Sequence, residues 1–401
     1  MSAPAPARAA GSATAAGGDL LYSRDEEDLR AAVRALLTAR CTPSEVLAAA
    51  ESGRPYAAEV WNSLAGGMGA AGLLVPEEHG GQGASAREAA VVLEELGRAV
   101  APVPYLTSAV LAVTALLACA ADRCPPAAAL LAQLARGERI GVLAVPLSTA
   151  PGEMPPFSVR AGADGTLSGV VRQVADAAAA DVLLVPAQGP HGPGLFAVST
   201  GPEVVSDAGC GTADGVRVEP VTPLDLTRPL ARITLDRARG RLLAGPQEAR
   251  RAVGEALLTG AGLLASEQLG IAEWCLEETV RYTCGRRQFG RPVGSFQALK
   301  HRMAALWLEV AAARAAARSA ADALATGSPD APLAVAVAQA YCAPVAVHAA
   351  QECVQMHGGI GMTWEHPAHL FLKRAKSDEI ALGTPGRHRA ALSTLADLPA
   401  P

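Results

Sequence analysis

RRQFGRPVGSFQALKHRMA, residues Arg286–Ala304, is the stretch on which the reading of this fold turns. It follows one long Ala- and Leu-rich segment, EALLTGAGLLASEQLGIAEWCLEETVRYTC (Glu255–Cys284). It also opens another, QALKHRMAALWLEVAAARAAARSAADALA (Gln297–Ala325). Both segments have helical composition, and the chain from about Pro246 to its end is long enough for a four-helix bundle. A second punctuated stretch, QMHGGIGMTWEHPAHLFLKRA (Gln355–Ala375), lies in the same helical region.

The texture changes outward from there. Between residues 138 and 245 short β-like runs alternate with Gly, Pro and Asp: IGVLAVPL, FSVRAG, TLSGVVRQV, ADVLLVPA, GLFAVS and ARITLD. They predict an all-β middle domain, a barrel or sandwich. From 19 to 137 the pattern is helical again. DEEDLRAAVRALLTAR sets Leu29, Val33, Leu36 and Leu37 three and four apart, behind acidic residues that oppose the helix dipole. GLLVPEEHGGQG (Gly72–Gly83) interrupts as an ordered loop before AREAAVVLEELGRAV resumes the helix. Residues 1–18, rich in Ala, Gly, Pro and Ser, read as a disordered tail without the apolar core of a secretory signal.

Composition narrows the class of function. A net charge of -5 gives no reason to expect nucleic acid or an anionic membrane as partner. No run of eighteen apolar residues passes without Gly, Pro or charge, so no membrane span is expected. Eight cysteines are scattered without a CxxC pair, which points to reduced thiols, a cytoplasmic location and no structural zinc. His357, His366 and His369 cluster in sequence but lack the Glu-containing two-His helical motif, and no metal is expected.

The order helix, β domain, helix, together with the loop at Gly72–Gly83 and the stretches at 286–304 and 355–375, resembles the acyl-CoA dehydrogenase family over nearly the whole chain. The middle third is similar only in texture. The resemblance implies an FAD enzyme acting on acyl thioesters, carried by CoA or an acyl-carrier protein. It also implies that residues of these two stretches reach across a subunit interface to the pyrophosphate and adenosine of a neighbour's FAD. The side chains suit that role. Arg286 offers a planar fork of donors, Gln297 an amide, and Phe289 an apolar face. Gln355 stands beside Gly358 and Gly359, which allow close backbone approach. Each also has a plain structural reading: Arg286 or Arg287 as a surface cation, Gln297 as a helix cap, the glycine pair as a turn.

The chain departs from the family where the chemistry should be. Dehydrogenation needs a carboxylate to remove the α-proton while the flavin accepts the β-hydride. The resemblance places that base at Leu382 or, as in a minority of members, at Arg287; neither side chain can accept a proton. Asp378, Glu379 and Glu365 are nearby substitutes, with ion pairs to Arg374 or Lys376 as the alternative reading. The ring-contacting strand and turn of the family are replaced by VPLSTAPGEMPP (Val145–Pro156), in which Ser148 and Thr149 retain hydroxyls. An adenosine-gripping half is thus kept and a ring-gripping half lost. Such a chain suits one subunit of a hetero-oligomer, as in the split-site members of bacterial steroid side-chain degradation. A redox-neutral thioester enzyme on the same scaffold, and a non-catalytic stabilising homologue in a homo- or hetero-oligomer, are the other readings.

Overall fold

A computed structural model describes residues 20–54, 56–119, 124–153, 157–201 and 215–397. The tail at 1–18 and the end of the Val145–Pro156 segment lie outside them. Helix α1 (Arg24–Arg40) begins at a reciprocal cap. Glu26 N–H donates to Ser23 Oγ at 3.2 Å, and Ser23 N–H donates to the Glu26 carboxylate at 2.6 Å. Val33 and Leu37 form its buried stripe, with Leu29 and Leu36 half-buried beside them. The short α2 (Pro43–Glu51) and α3 (Ala58–Asn62) follow, then α4 (Ala86–Ala99), capped in the same way by Ser85 and Glu88. The loop between is ordered: Gly83 N–H reaches Val75 O at 2.9 Å, and a Cβ at Gly81 would lie 2.1 Å from the same oxygen. Helices α5 (Val113–Ala118) and α6 (Pro125–Ala135) complete this layer.

The strands are β1 (Gly141–Leu143), β2 (Val159–Ala161), β3 (Thr166–Ala175), β4 (Val182–Gly189), β5 (Gly192–Ser199), β6 (Val216–Val221), β7 (Leu230–Arg239) and β8 (Arg241–Ala244). They form one eight-stranded sheet ordered β6-β7-β3-β2-β4-β5-β8, with β1 parallel to β4. Among the described residues no pairing joins β6 to β8. Strands β6 and β8 are additions to the sequence reading; VRVEPV and RLLA are short and carry Pro or Arg inside the run.

The C-terminal part is α7 (Pro246–Gly285), α8 (Gln297–Ala325), α9 (Ala331–His357), α10 (Ala368–Ile380) and α11 (Pro385–Leu395), with a two-residue hairpin β9 (Arg287–Gln288) and β10 (Arg291–Pro292) between α7 and α8. Helix α7 is central and packs on α4, α8 and α9. The stretch Ala331–Met362 has the length and apolar character to cross a membrane, but most of it is buried in the bundle.

Buried charge ties the layers together. Arg374 on α10 donates to Asp225 at 2.7 Å, to Glu267 of α7 at 2.5 Å and to Thr227 O at 2.8 Å. Arg228 donates to Glu267 at 2.6 Å and to Asp378 at 2.7 Å. Two guanidinium groups therefore face three carboxyls inside the protein. Burial raises all three carboxyl energies, but the two arginines hold Glu267 below the usual carboxylate range, while burial and the neighbouring Glu267 push Asp378 well above it. Of the carboxyls in the cluster, burial and the neighbouring Glu267 thus favour the protonated form at Asp378.

Candidate functional site

Helix α7 stops at Gly285 because Arg286 turns into extended backbone. Arg286 N–H still donates to Tyr282 O at 2.8 Å, and its carbonyl accepts from Val293 N–H at 2.8 Å. The β9–β10 turn is closed by Phe289 and Gly290, with φ of 51° and 75°; both lie in the left-handed region that a two-residue hairpin requires. A phenylalanine is unusual there and is strained. Its ring is 90% exposed and meets Phe296 edge-on at 6.1 Å. Arg286 is exposed and makes no side-chain ion pair with the described residues. Gln297 starts α8 and its amide lies 3.4 Å from His301 Nε2.

The second stretch meets the first at the end of α9. The Tyr282 ring lies 4.2 Å from the His357 ring, and the Tyr282 hydroxyl donates to His357 O at 3.5 Å. Gly358 follows with φ 62° and ψ -137°, a conformation only glycine adopts readily. A Cβ at Gly358 or Gly359 would meet nothing within 4 Å of this chain. Packing within the chain therefore does not demand Gly359, and the space beside it faces outward. Gln355, Gly358 and Gly359 are exposed, as are Arg286, Phe289 and Gln297. An exposed guanidinium fork, an aromatic face and bare backbone fit the phosphates and sugar of an adenosine diphosphate group offered from outside the chain.

Leu382 has the opposite environment. It is 1% exposed, has φ 53°, and donates its N–H to Leu147 O at 2.7 Å across to the sheet domain. Its Cδ1 would lie 3.1 Å from a Cβ at Gly260, which would also meet Leu111 at 2.4 Å. Next to it a Cβ on Gly383 would be 2.9 Å from Ala150 Cβ. Thr149 is buried and its hydroxyl donates to Pro146 O at 2.7 Å, so it is spent within its own turn and is no free donor; Ser148 is exposed. Glu153 pairs with Arg387 across the same seam. The position where the resemblance puts a base is filled by leucine and sealed by chain-to-chain contacts. The ring and base half does not fit a flavin.

The substitutes fare no better. Arg287 and Glu365 are exposed, and Glu379 pairs with Lys376 as the ion-pair reading expects. Asp378 is fully buried, but its partner is Arg228 and not the expected Arg374 or Lys376. Arg228 was invisible as a partner because it sits in a different domain of the chain. Glu267 and Arg374 were the available signal, each a charge on an otherwise apolar helix face. Of the three histidines, His357 and His366 come together, rings 4.1 Å apart, and Glu278 joins them; His369 packs instead on Trp364 at 4.5 Å.

Residues 23–138 match the family model for the acyl-CoA dehydrogenase N-terminal domain, and residues 250–394 that for the acyl-CoA dehydrogenase C-terminal domain. The chain is 36% identical over 361 residues to acyl-CoA dehydrogenase IpdE2 of Mycobacterium tuberculosis, covering 90% of this chain and 94% of that one. It superposes on a chain of the ChsE4-ChsE5 complex from Mycobacterium tuberculosis with TM-score 0.80 and 29% identity, covering 95% and 100%. For a variant of the Tcur3481-Tcur3483 steroid ACAD the TM-score is 0.78 and the identity 30%, covering 93% and 98%. By sequence, domain order and fold, the chain belongs to the acyl-CoA dehydrogenase family.

Proposed function

We propose that this chain is one subunit of a heteromeric, FAD-dependent acyl-CoA dehydrogenase, and that it lends the adenosine and pyrophosphate half of a flavin site to a different polypeptide. The carrying observation is the asymmetry between the two halves. Leu382 is sealed against Leu147, Leu111 and Gly260, while Arg286, Phe289, Gln297, Gln355, Gly358 and Gly359 are exposed on the outside. Exposed Trp307 and Leu308 on α8, and Val337 and Tyr341 on α9, give the same bundle an apolar surface for a neighbour. Two of the solved relatives carry two component names in their titles, which supports a heteromer.

In such an assembly Arg286 would hold the pyrophosphate by charge-assisted hydrogen bonds, and Gln297 and Gln355 would take sugar or phosphate oxygens. The bound flavin supplies a hydride acceptor, and the partner supplies the base. The substrate class is an acyl-CoA thioester; a steroid-derived acyl group is the first to try, because one relative is titled a steroid ACAD.

The test is an absorbance spectrum of the purified chain alone and after co-expression with an acyl-CoA dehydrogenase-like partner from its own genome. The chain alone should be colourless, and the assembly should be yellow and oxidise an acyl-CoA. A chain that alone retains stoichiometric FAD and oxidises acyl-CoA overturns the proposal.

A further inference from the structure

Beneath the Gly358–Gly359 loop, three side chains from three segments converge: Glu278 on α7, His357 at the end of α9 and His366 before α10. Their ligand atoms all lie within 4.8 Å of one another. Glu278 Oε1 is 3.3 Å from His366 Nε2 and 3.6 Å from His357 Nε2. We propose that these three residues form a binding site for a divalent transition metal of the zinc type, which fastens the Gly358–Thr363 loop to α7.

The state of His357 carries the argument. Its side chain is fully buried, and Nε2 has no hydrogen-bond partner. Its Nδ1 lies 2.7 Å from Cys353 O. A carbonyl only accepts, so Nδ1 carries a proton, and in the neutral ring Nε2 then bears a lone pair. In that form a buried acceptor with no donor of its own lies 3.6 Å from Glu278 Oε1, an arrangement that a cation shared by the two atoms would satisfy. An Nδ1–H bonded to a backbone carbonyl is also the outer contact that fixes an imidazole for metal ligation.

The distances suit a small tetrahedral ion. Bonds of about 2.0–2.1 Å place neighbouring ligand atoms about 3.3–3.4 Å apart. The two separations from Glu278, 3.3 and 3.6 Å, match this within a few tenths of an ångström. His366 needs to turn slightly inward. Ala368 N–H donates to its Nδ1 at a long 3.3 Å and its Nε2 lies 3.3 Å from Glu278 Oε1, so ligation through Nε2 moves the ring proton to Nδ1 and gives up these two weak contacts. Arg281 donates to both oxygens of Glu278, to Oε2 at 2.7 Å and to Oε1 at 2.5 Å, and so orients the carboxylate; a bound cation would share Oε1 with that guanidinium. Glu278 and His366 are each partly exposed, which leaves the fourth position open to water. Imidazole with one carboxylate suits zinc and, for a probe, cobalt.

The test uses the purified chain, stripped with a chelator and titrated with Co2+ and then Zn2+. The expected result is one equivalent of cobalt with the visible absorption of a four-coordinate ion, displaced by zinc. His366→Ala and Glu278→Gln should each weaken binding more than the roughly ten- to hundredfold loss expected for an outer-shell partner. Both positions are partly exposed, and circular dichroism confirms that the variants fold. Cys284→Ser, which removes the exposed thiol, should bind as the parent does. The proposal is overturned if the parent chain takes up no cobalt at tens of micromolar, if His366→Ala binds equally well, or if binding disappears with Cys284.

Discussion

Leu382→Glu puts a carboxylate where the resemblance expects the base, and the structure makes it a stability experiment. The side chain is 1% exposed, and its apolar neighbours are Leu111 and the α7 backbone at Gly260. His388 Nε2 lies 3.0 Å from Leu382 O, and burial holds its pKa below the ordinary histidine value. It is therefore neutral at pH 8 and supplies no countercharge. A fully buried carboxyl can be raised by about 3–5 pKa units. At 1.36 kcal/mol per unit that is about 4–7 kcal/mol. The sign follows from linkage. The folded pKa is raised above the unfolded value of about 4.3, so the variant's deficit is small near pH 4 and grows as pH rises toward the folded pKa. Urea midpoints of parent and variant at pH 4.5 and pH 8 measure it. The gap should widen by several kcal/mol, with no acyl-CoA oxidation by the chain alone. An equal gap at both pH values would show a carboxylate that reaches water or a usable cavity, and the sealed-site argument would fail.

Arg374→Met should be among the most damaging single changes, because it strands Asp225 and leaves Glu267 with Arg228 alone. Breaking a buried pair costs about 3–5 kcal/mol, read as a lowered thermal midpoint. Asp378→Asn should be nearly neutral at pH 7, since the amide oxygen can still accept from Arg228 and burial already favours the uncharged form of the acid; a loss as large as that of Arg374→Met would refute this. Asp176 is buried, which pushes its pKa up to about 6 despite the hydrogen bond from Thr107 at 2.7 Å. Its penalty therefore appears as pH rises from about 4 to 6, and Asp176→Asn should match the parent at pH 4 but gain up to about 3 kcal/mol at pH 8 in denaturant melts. In the assembled flavoprotein, Arg286→Ala should weaken FAD retention about ten- to a hundredfold, with Arg286→Lys recovering part; unchanged flavin content would remove the half-site.

What was legible in the sequence was local. The spacing of Leu29, Val33, Leu36 and Leu37 behind acidic first-turn residues marks α1, in which Val33 and Leu37 are buried. The absent base at Leu382 was also legible, because it depends on counting along one segment. The closure around it was not, since Leu147, Leu111 and Gly260 come from distant stretches. The same holds for Arg228 on Asp378 and for Glu278 between two histidines. A charge on an apolar helix face announces a partner without saying which.

The closed half and the charge cluster bear on one seam, that between the sheet and the C-terminal helices. Here it is bridged by the chain itself: Leu382 to Leu147, Glu153 to Arg387, and Arg374 to Asp225 and Thr227. Buried ion pairs contribute little net stability compared with apolar packing, but they penalise any arrangement that separates them. A seam held in this way resists opening for a ligand. The exposed hairpin and the Gly358–Gly359 loop lie at the far end of α7 and α9 from Gly260, free of that constraint. The two ends of α7 and α9 are thus under different constraints: packing within the chain closes the one and leaves the other exposed.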